Sequence, residues 1–406
     1  MSRAARDNRL VATRYAMSWN TRDRRSWDAS PPLTNEQLDA VALEQFRILK
    51  STFATTKSWE VEKSLGHGSY GFTALLRDTH LFRGTEQKRY VLKRALVPQY
   101  GTDDITNEMV GLRVVRGNAH HVQMISATEH VEEFRDKPRS LPRRMLKRMT
   151  RAFKNPPTNA FRVLSVLEGP AILLEYIPNG SLLDLLGRSY EKHIVIPNRV
   201  LWSFYFCLVR ACVGLAYPKN ATGDEPPELE TVRRGEEPQG VYHGDIACRN
   251  IMISGAEDVP EHTLVPKLKM IDFGLAGEAE DGPSAVEQNL FGVSRQMLYL
   301  IKRGYLNWNS EDEERFNGVW THAVDILPAD GVDPCPDLDP ELRNLLVEAM
   351  RSDAQNRPSL RQMFRRTREG AAKHISTYGR RALDESDYSI QLKFQQLLYD
   401  APSPAV

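Results

Sequence analysis

The chain has 406 residues, 41% of them hydrophobic and 26% charged, a composition ordinary for a globular protein with room for two or three lobes around sizeable cores. Its formal charge of +1 carries no argument for or against a nucleic-acid partner, so any electrostatic recognition has to be local. The longest apolar stretch, 200–217, is interrupted by Ser203 and Arg210. It falls short of the about 20 unbroken apolar residues of a membrane span, so it is expected as a buried core helix, with no transmembrane segment. Cys207, Cys212, Cys248 and Cys335 show neither metal-ligand spacing nor a disulfide framework. That pattern suits a reducing intracellular compartment, cytoplasmic or nuclear.

Residues 1–32 are polar, rich in arginine (Arg3, Arg6, Arg9, Arg14, Arg22, Arg24, Arg25) and poor in acids, with no apolar run of a secretory signal. A mitochondrial presequence fits this composition less well than a disordered basic arm. Over 33–56 a helix is predicted, opened by a Thr34/Gln37 capping box and carrying Leu38, Val41, Ala42, Phe46 and Leu49 at helical spacing. From Trp59 short strands separated by glycines are predicted at 60–65, 73–77 and 90–95, then a helix at 105–115 and strands at 121–125 and 171–176. Beyond Asn179 the pattern turns mainly helical, with brief β signals at 251–253 and 268–271.

The expected class is therefore α+β, strand-rich over 57–177 and mainly helical over 178–370, with a helical tail at 371–406. Two insertions interrupt the plan. Segment 134–157 is strongly basic, with Leu141, Met145, Met149 and Phe153 recurring every four residues. It reads as a solvated loop or a short basic amphipathic helix for an acidic partner or a membrane surface. Segment 219–240, rich in Pro, Gly and Glu, reads as an exposed loop. No specific nucleic-acid signal is found.

The run from Leu65 through Gly66, Gly68 and Gly71 has the G-x-G-x-x-G spacing directly after a predicted strand. Without Cβ atoms, such a backbone can approach phosphate oxygens with its amide hydrogens. In a dinucleotide fold a helix would follow, whereas here another strand does. The next strand carries Val91-Leu92-Lys93, a strongly solvated cation on a buried element, which requires a nearby anion. Glu108, on the following helix, is the candidate.

Further on, the segment His243-Gly244-Asp245-Ile246-Ala247-Cys248-Arg249-Asn250 places Asp and Asn five residues apart in a loop. A second short strand ends at Asp272-Phe273-Gly274. Asn250 and Asp272 are hard oxygen donors suited to Mg²⁺ shared with phosphates, and Asp245 is left to orient or deprotonate a hydroxyl.

Taken in order, the glycine loop, Lys93, Glu108, H-x-D-x-x-x-x-N and D-F-G resemble the catalytic core of the eukaryotic protein-kinase superfamily, over roughly 57–370 with the insertions set aside. The resemblance implies a two-lobed fold, with N-lobe 57–177 and C-lobe 178–370, that binds ATP and Mg²⁺. It implies that Lys93, paired with Glu108, holds the α- and β-phosphates, and that Asn250 and Asp272 bind metal. Asp245 would be the catalytic carboxylate, with Arg249 beside it. Glu175 and Ile177 would meet adenine through their backbone, Leu174 behind it and Leu65, Val91 and Met252 around it.

Three departures bear on the acceptor, which the resemblance leaves open between protein and small molecule. Gly244 stands where many kinases have Arg, so control by a phosphorylated activation loop is not expected. The same His-Gly-Asp is similar to the aminoglycoside and choline kinases. Only fifteen positions separate Asp272 from Glu287, with no Ala-Pro-Glu, so the peptide platform is trimmed and Arg357 is expected to lack its usual glutamate. Ala247 and Arg249 are closer to tyrosine kinases. The pattern as a whole resembles divergent fungal kinase-like proteins, and an ATP-binding scaffold without transfer remains a distinct alternative.

Overall fold

The computed structural model describes residues 34–56, 59–68, 71–79, 88–96, 98–128, 164, 167, 169–219, 221, 225–255, 261–304, 306, 309 and 311–399, the side chains of 98–103 set aside. The basic arm 1–32 and the basic segment 134–157 lie outside them.

Helix α1 (Asn35–Ala54) opens with the expected box, Thr34 N–H donating to Gln37 Oε1 at 2.8 Å and Gln37 N–H to Thr34 Oγ1 at 3.3 Å. Farther along it Ala42, Leu49 and Phe53 are buried, and the Phe46 ring lies 6.4 Å from Phe72.

Strands β1 (Trp59–His67), β2 (Gly71–Asp78) and β3 (Arg89–Ala95) follow, then helix α2 (Pro98–Val114), β4 (Met124–Ala127) and β5 (Ala171–Glu175). They form one antiparallel five-stranded sheet in the order β1-β2-β3-β5-β4. Helix α2 starts well before the predicted Ile105, with Pro98 at a position where a missing N–H costs nothing.

The remainder is mainly helical, as the periodicity predicts. Helix α3 (Leu182–Glu191) is capped reciprocally by Ser181 and Asp184. Helix α4 (Asn198–Ala216) is buried almost throughout and forms the centre of the helical core. Among the described residues α4 is the one helix long and apolar enough to cross a membrane, but its length is buried within the protein.

Two small ladders shape the next stretch. One pairs β6 (Val241–Tyr242) with β9 (Gly277–Glu278), the other β7 (Ile251–Ile253) with β8 (Leu268–Met270). Helix α5 (Gly282–Ile301), a hairpin of β10 (Glu314–Phe316) and β11 (Val319–Thr321), and helices α6 (Pro340–Ala349), α7 (Leu360–Ala371) and α8 (Asp387–Phe394) complete the order. The tail is tied down where Arg188 donates to the Leu397 carbonyl at 2.6 Å and Glu385 accepts from the N–H of Asn198 at 2.8 Å.

Two expectations need correction. The segment read as an exposed loop turns inward at 228–230: Glu228 exchanges backbone hydrogen bonds with Gly117 and Ala119, both at 3.0 Å, and Glu230 is 2% exposed. Its polar composition hid a buried carboxylate that finds a histidine partner. The β10–β11 hairpin was also missed in a region read as helical. Asn317 and Gly318 both have positive φ (49° and 84°), the two-residue turn that Asn-Gly favours.

Candidate active site

The site begins on β3. Opposite Lys93 on β2 stands Thr73, whose hydroxyl donates to the Gly66 carbonyl at 2.9 Å and so braces the end of β1. Gly66 has φ 119°, a conformation open to glycine, and a Cβ at Gly71 would stand 3.2 Å from Cε of Lys93. Gly66 therefore permits this backbone conformation at the end of β1, and Gly71 leaves room for the lysine stem.

Lys93 Nζ lies 2.6 Å from Glu108 Oε2 and 2.9 Å from Asp272 Oδ1. Burial alone would push the ammonium pKa down, but the two carboxylates more than reverse this and hold it above its ordinary value. For Asp272, burial raises the carboxyl pKa and Lys93 outweighs it, leaving the group below the usual range. Asp272 sits at φ 66°, a left-handed conformation that aspartate tolerates better than most residues.

The opposite bank is the loop before β7. Antiparallel pairing of Ile251 with Met270 places Asn250, just before β7, at the same end of the ladder as Asp272, just after β8. Asn250 Nδ2 donates to Asp245 Oδ2 at 2.8 Å and to the Asp245 carbonyl at 3.0 Å, so its amide oxygen is the atom left for a cation. The Arg249 guanidinium meets both oxygens of Asp245 at 2.7 and 2.8 Å. His243 fixes the start of the loop: its Nε2 lies 3.0 Å from the Ile271 carbonyl and its Nδ1 3.3 Å from the N–H of Asp245. Both bonds need the neutral ring with its proton on Nε2, and burial holds the pKa down accordingly. Phe273, fully buried, packs on His243 and His121 with ring centroids 4.7 and 5.7 Å away.

Sequence reasoning missed the groups behind this loop. Asn289 on α5, 1% exposed, accepts from the N–H of His243 at 3.1 Å and donates to the Val241 carbonyl at 2.9 Å. Gln296, about two turns farther on, donates to the Ile246 carbonyl at 3.0 Å and accepts from Cys248 Sγ at 3.3 Å. The available signal was two uncharged polar residues inside an otherwise apolar helical face. Arg357, expected to lack a glutamate, pairs with Glu287 at 2.9 Å and lies over the Phe291 ring at 4.5 Å. The partner was missed because Glu287 sits on α5 rather than in the segment before it.

Gly244 has φ 79°, and a Cβ there would stand 2.1 Å from the Leu275 carbonyl oxygen. The segment after Asp272 therefore lies directly on the loop, and β9 pairs with β6 two residues later.

The remaining candidates line the border between sheet and helices. Ile177 and Leu174 are buried, while Leu65, Val91 and Met252 are half-buried. Glu175 donates its N–H to the Gln123 carbonyl at 3.0 Å, and its carboxylate receives Lys269 Nζ at 2.6 and 2.8 Å. Lys93, Glu108 and Asp272 thus come together as one cluster, and Asp245, Arg249 and Asn250 as a second.

No family model matches this chain. Over 109 residues, 27% of its length, the chain is 30% identical to a Dictyostelium discoideum protein named probable serine/threonine-protein kinase, of which the match covers 6%. That likeness points toward the kinases. It spans a small part of the larger relative.

Proposed function

We propose that the chain is an ATP- and Mg²⁺-dependent phosphotransferase of the protein-kinase type, moving the γ-phosphoryl group to a hydroxyl side chain. The observation that carries this reading is Lys93 held between Glu108 and Asp272, beside a loop that presents Asp245 and Asn250. In this reading the strand-rich part over 57–177 and the helical part over 178–370 are the two lobes of a kinase-like fold inside the cell.

Lys93 neutralises the α- and β-phosphates while Glu108 keeps its ammonium in place. Asp272 and Asn250 present hard oxygens to Mg²⁺, which supplies charge neutralisation at the phosphates. Asp245, oriented by Arg249 and Asn250, accepts the proton of the incoming hydroxyl. Glu175 and Ile177 offer backbone groups to adenine. Since the Glu175 N–H is already committed to Gln123, its carbonyl is the group that remains. Leu65, Val91 and Met252 close around the ring, with Leu174 behind. Positioning and electrostatics do most of the work.

A second reading, transfer to a small alcohol, is favoured by one observation. The segment after Asp272 is pressed onto the catalytic loop at Gly244, which leaves little chain for a peptide platform.

The test is transfer of label from γ-labelled ATP with magnesium, offered to generic proteins and to a pool of small alcohols. Wild type is compared with Asp245→Asn and Asp272→Asn. Labelled protein that both substitutions abolish supports the first reading, and label in small alcohols alone supports the second. Tight ATP binding with no transfer to any acceptor, water included, would leave a nucleotide-binding scaffold.

A further inference from the structure

Next to the segment that bonds the end of β8, three potential metal ligands from distant parts of the chain come together. They are His120 after α2, Cys207 on α4 and His262 between β7 and β8. Their ligand atoms lie within 4.8 Å of one another, and their exposures are 0%, 2% and 3%. The two imidazole rings meet edge to face at 5.4 Å.

The second observation is the state of the ring nitrogens. His120 Nδ1 lies 2.6 Å from the buried carboxylate of Glu230, which also accepts the His120 backbone N–H at 2.8 Å. Its Nε2 is buried and makes no hydrogen bond of good geometry, the Cys207 thiol being the group beside it. His262 Nε2 is likewise buried without a hydrogen-bond partner. Two buried imidazoles, one of them held by a carboxylate, with ring nitrogens gathered beside one thiol form a pattern in which metal-binding histidines occur. Buried nitrogens do not normally go unmet.

We propose that His120 Nε2, His262 Nε2 and Cys207 Sγ bind a zinc-class divalent ion, with Glu230 fixing the His120 tautomer. Tetrahedral zinc bonds of about 2.0–2.3 Å place donor atoms about 3.3–3.6 Å apart, so side-chain shifts of about 1 Å close the site. Cys207 loses its proton on binding, and two neutral imidazoles complete the protein's share of the coordination. The ion's two positive charges are then balanced by the thiolate and by Glu230. Three protein ligands leave one position for a solvent oxygen.

The site would clip the His120 segment to α4 and to the loop before β8. That segment exchanges backbone bonds with Met270, Met270 N–H donating to His120 at 2.9 Å and Val122 N–H to Met270 at 3.0 Å. Met270 ends the strand that leads to Asp272, so the clip would brace the candidate active site from behind. The proposal does not depend on the kinase reading.

The test is metal content of the full chain, purified with chelator, reconstituted with zinc and passed through gel filtration. The expected result is about one zinc per chain in wild type and in Asp272→Asn, and background levels in His262→Ala and Cys207→Ser. Cobalt substitution gives a readout that needs only the wild-type fold: a thiolate-to-cobalt charge-transfer band with intense visible bands of tetrahedral Co²⁺. Background zinc in reconstituted wild type, zinc retained by both variants, or cobalt lacking the thiolate band would each overturn the assignment.

Discussion

The two banks of the candidate active site are held by different physics. On the sheet side, Lys93, Glu108 and Asp272 are positioned by charge, one ammonium between two carboxylates within 2.9 Å. On the helical side, the backbone of the loop from Val241 to Cys248 is positioned largely by neutral hydrogen bonds from α5 and by the approach of Gly244 to Leu275, while the Asp245 carboxylate within it meets Arg249. The charge cluster, one cation against two carboxylates, keeps an excess of negative charge when empty and exchanges partners when a ligand brings new charge. Neutral bonds to backbone have nothing to exchange, so the loop stays as built. One bank is open to exchange with incoming charge, and the other holds the backbone of the loop that carries Asp245.

The largest effect should come from breaking the charged bank. Lys93→Met leaves the buried Glu108 carboxylate unpaired beside the part-exposed Asp272, and unpairing a buried charge costs about 3–5 kcal/mol. Adding Glu108→Gln should restore much of that loss. Chemical denaturation of the two single variants and the double variant checks the coupling. Additive losses would mean that the cluster is not held by charge.

Gly244→Ala should come next, by forcing a side chain into a left-handed conformation that costs about 1–2 kcal/mol and into the Leu275 carbonyl besides. Unfolding free energy should fall by about 2 kcal/mol or more, and limited proteolysis should cut first within 272–282. Asn289→Ala strips partners from a buried N–H and a buried carbonyl, worth about 1–3 kcal/mol by denaturation. Its cost should be insensitive to salt, because no charge is involved.

The smallest effect is chemical. Burial raises the Cys248 thiol pKa to about 12, so the thiolate at pH 8 amounts to about one part in ten thousand. Alkylation of the native chain at that pH should leave Cys248 unmodified, as mass mapping of peptides would show. Rapid labelling would mean that the neutral bank is open.

The charged bank was legible in the sequence because charge on a buried strand demands a partner, and Lys93, Glu108 and Asp272 each stand in a recognisable local pattern. The strands were legible for a similar reason, since glycines bracket short apolar runs. Asn289 and Gln296 were not, because a neutral polar residue on a core helix announces no partner until the loop is seen lying against it. Arg357 was misjudged because its glutamate came from another element. The His120, Cys207 and His262 cluster lay beyond any spacing rule, since its ligands are contributed by segments that meet only in the folded chain. The Asn317-Gly318 turn, by contrast, was in plain view and was passed over in a stretch read as helical.

The proposal that Asp272, paired with Lys93, and Asn250 hold a magnesium nucleotide is tested most directly by thermal unfolding with ATP, with and without Mg²⁺. Saturation at a hundred times the dissociation constant would stabilise wild type by about 2.7 kcal/mol. The account predicts a rise in melting temperature with ATP and Mg²⁺ together, much smaller with ATP alone, and lost in Asp272→Asn. A rise that ignores magnesium and survives in Asp272→Asn, or no rise at any nucleotide concentration, would contradict it.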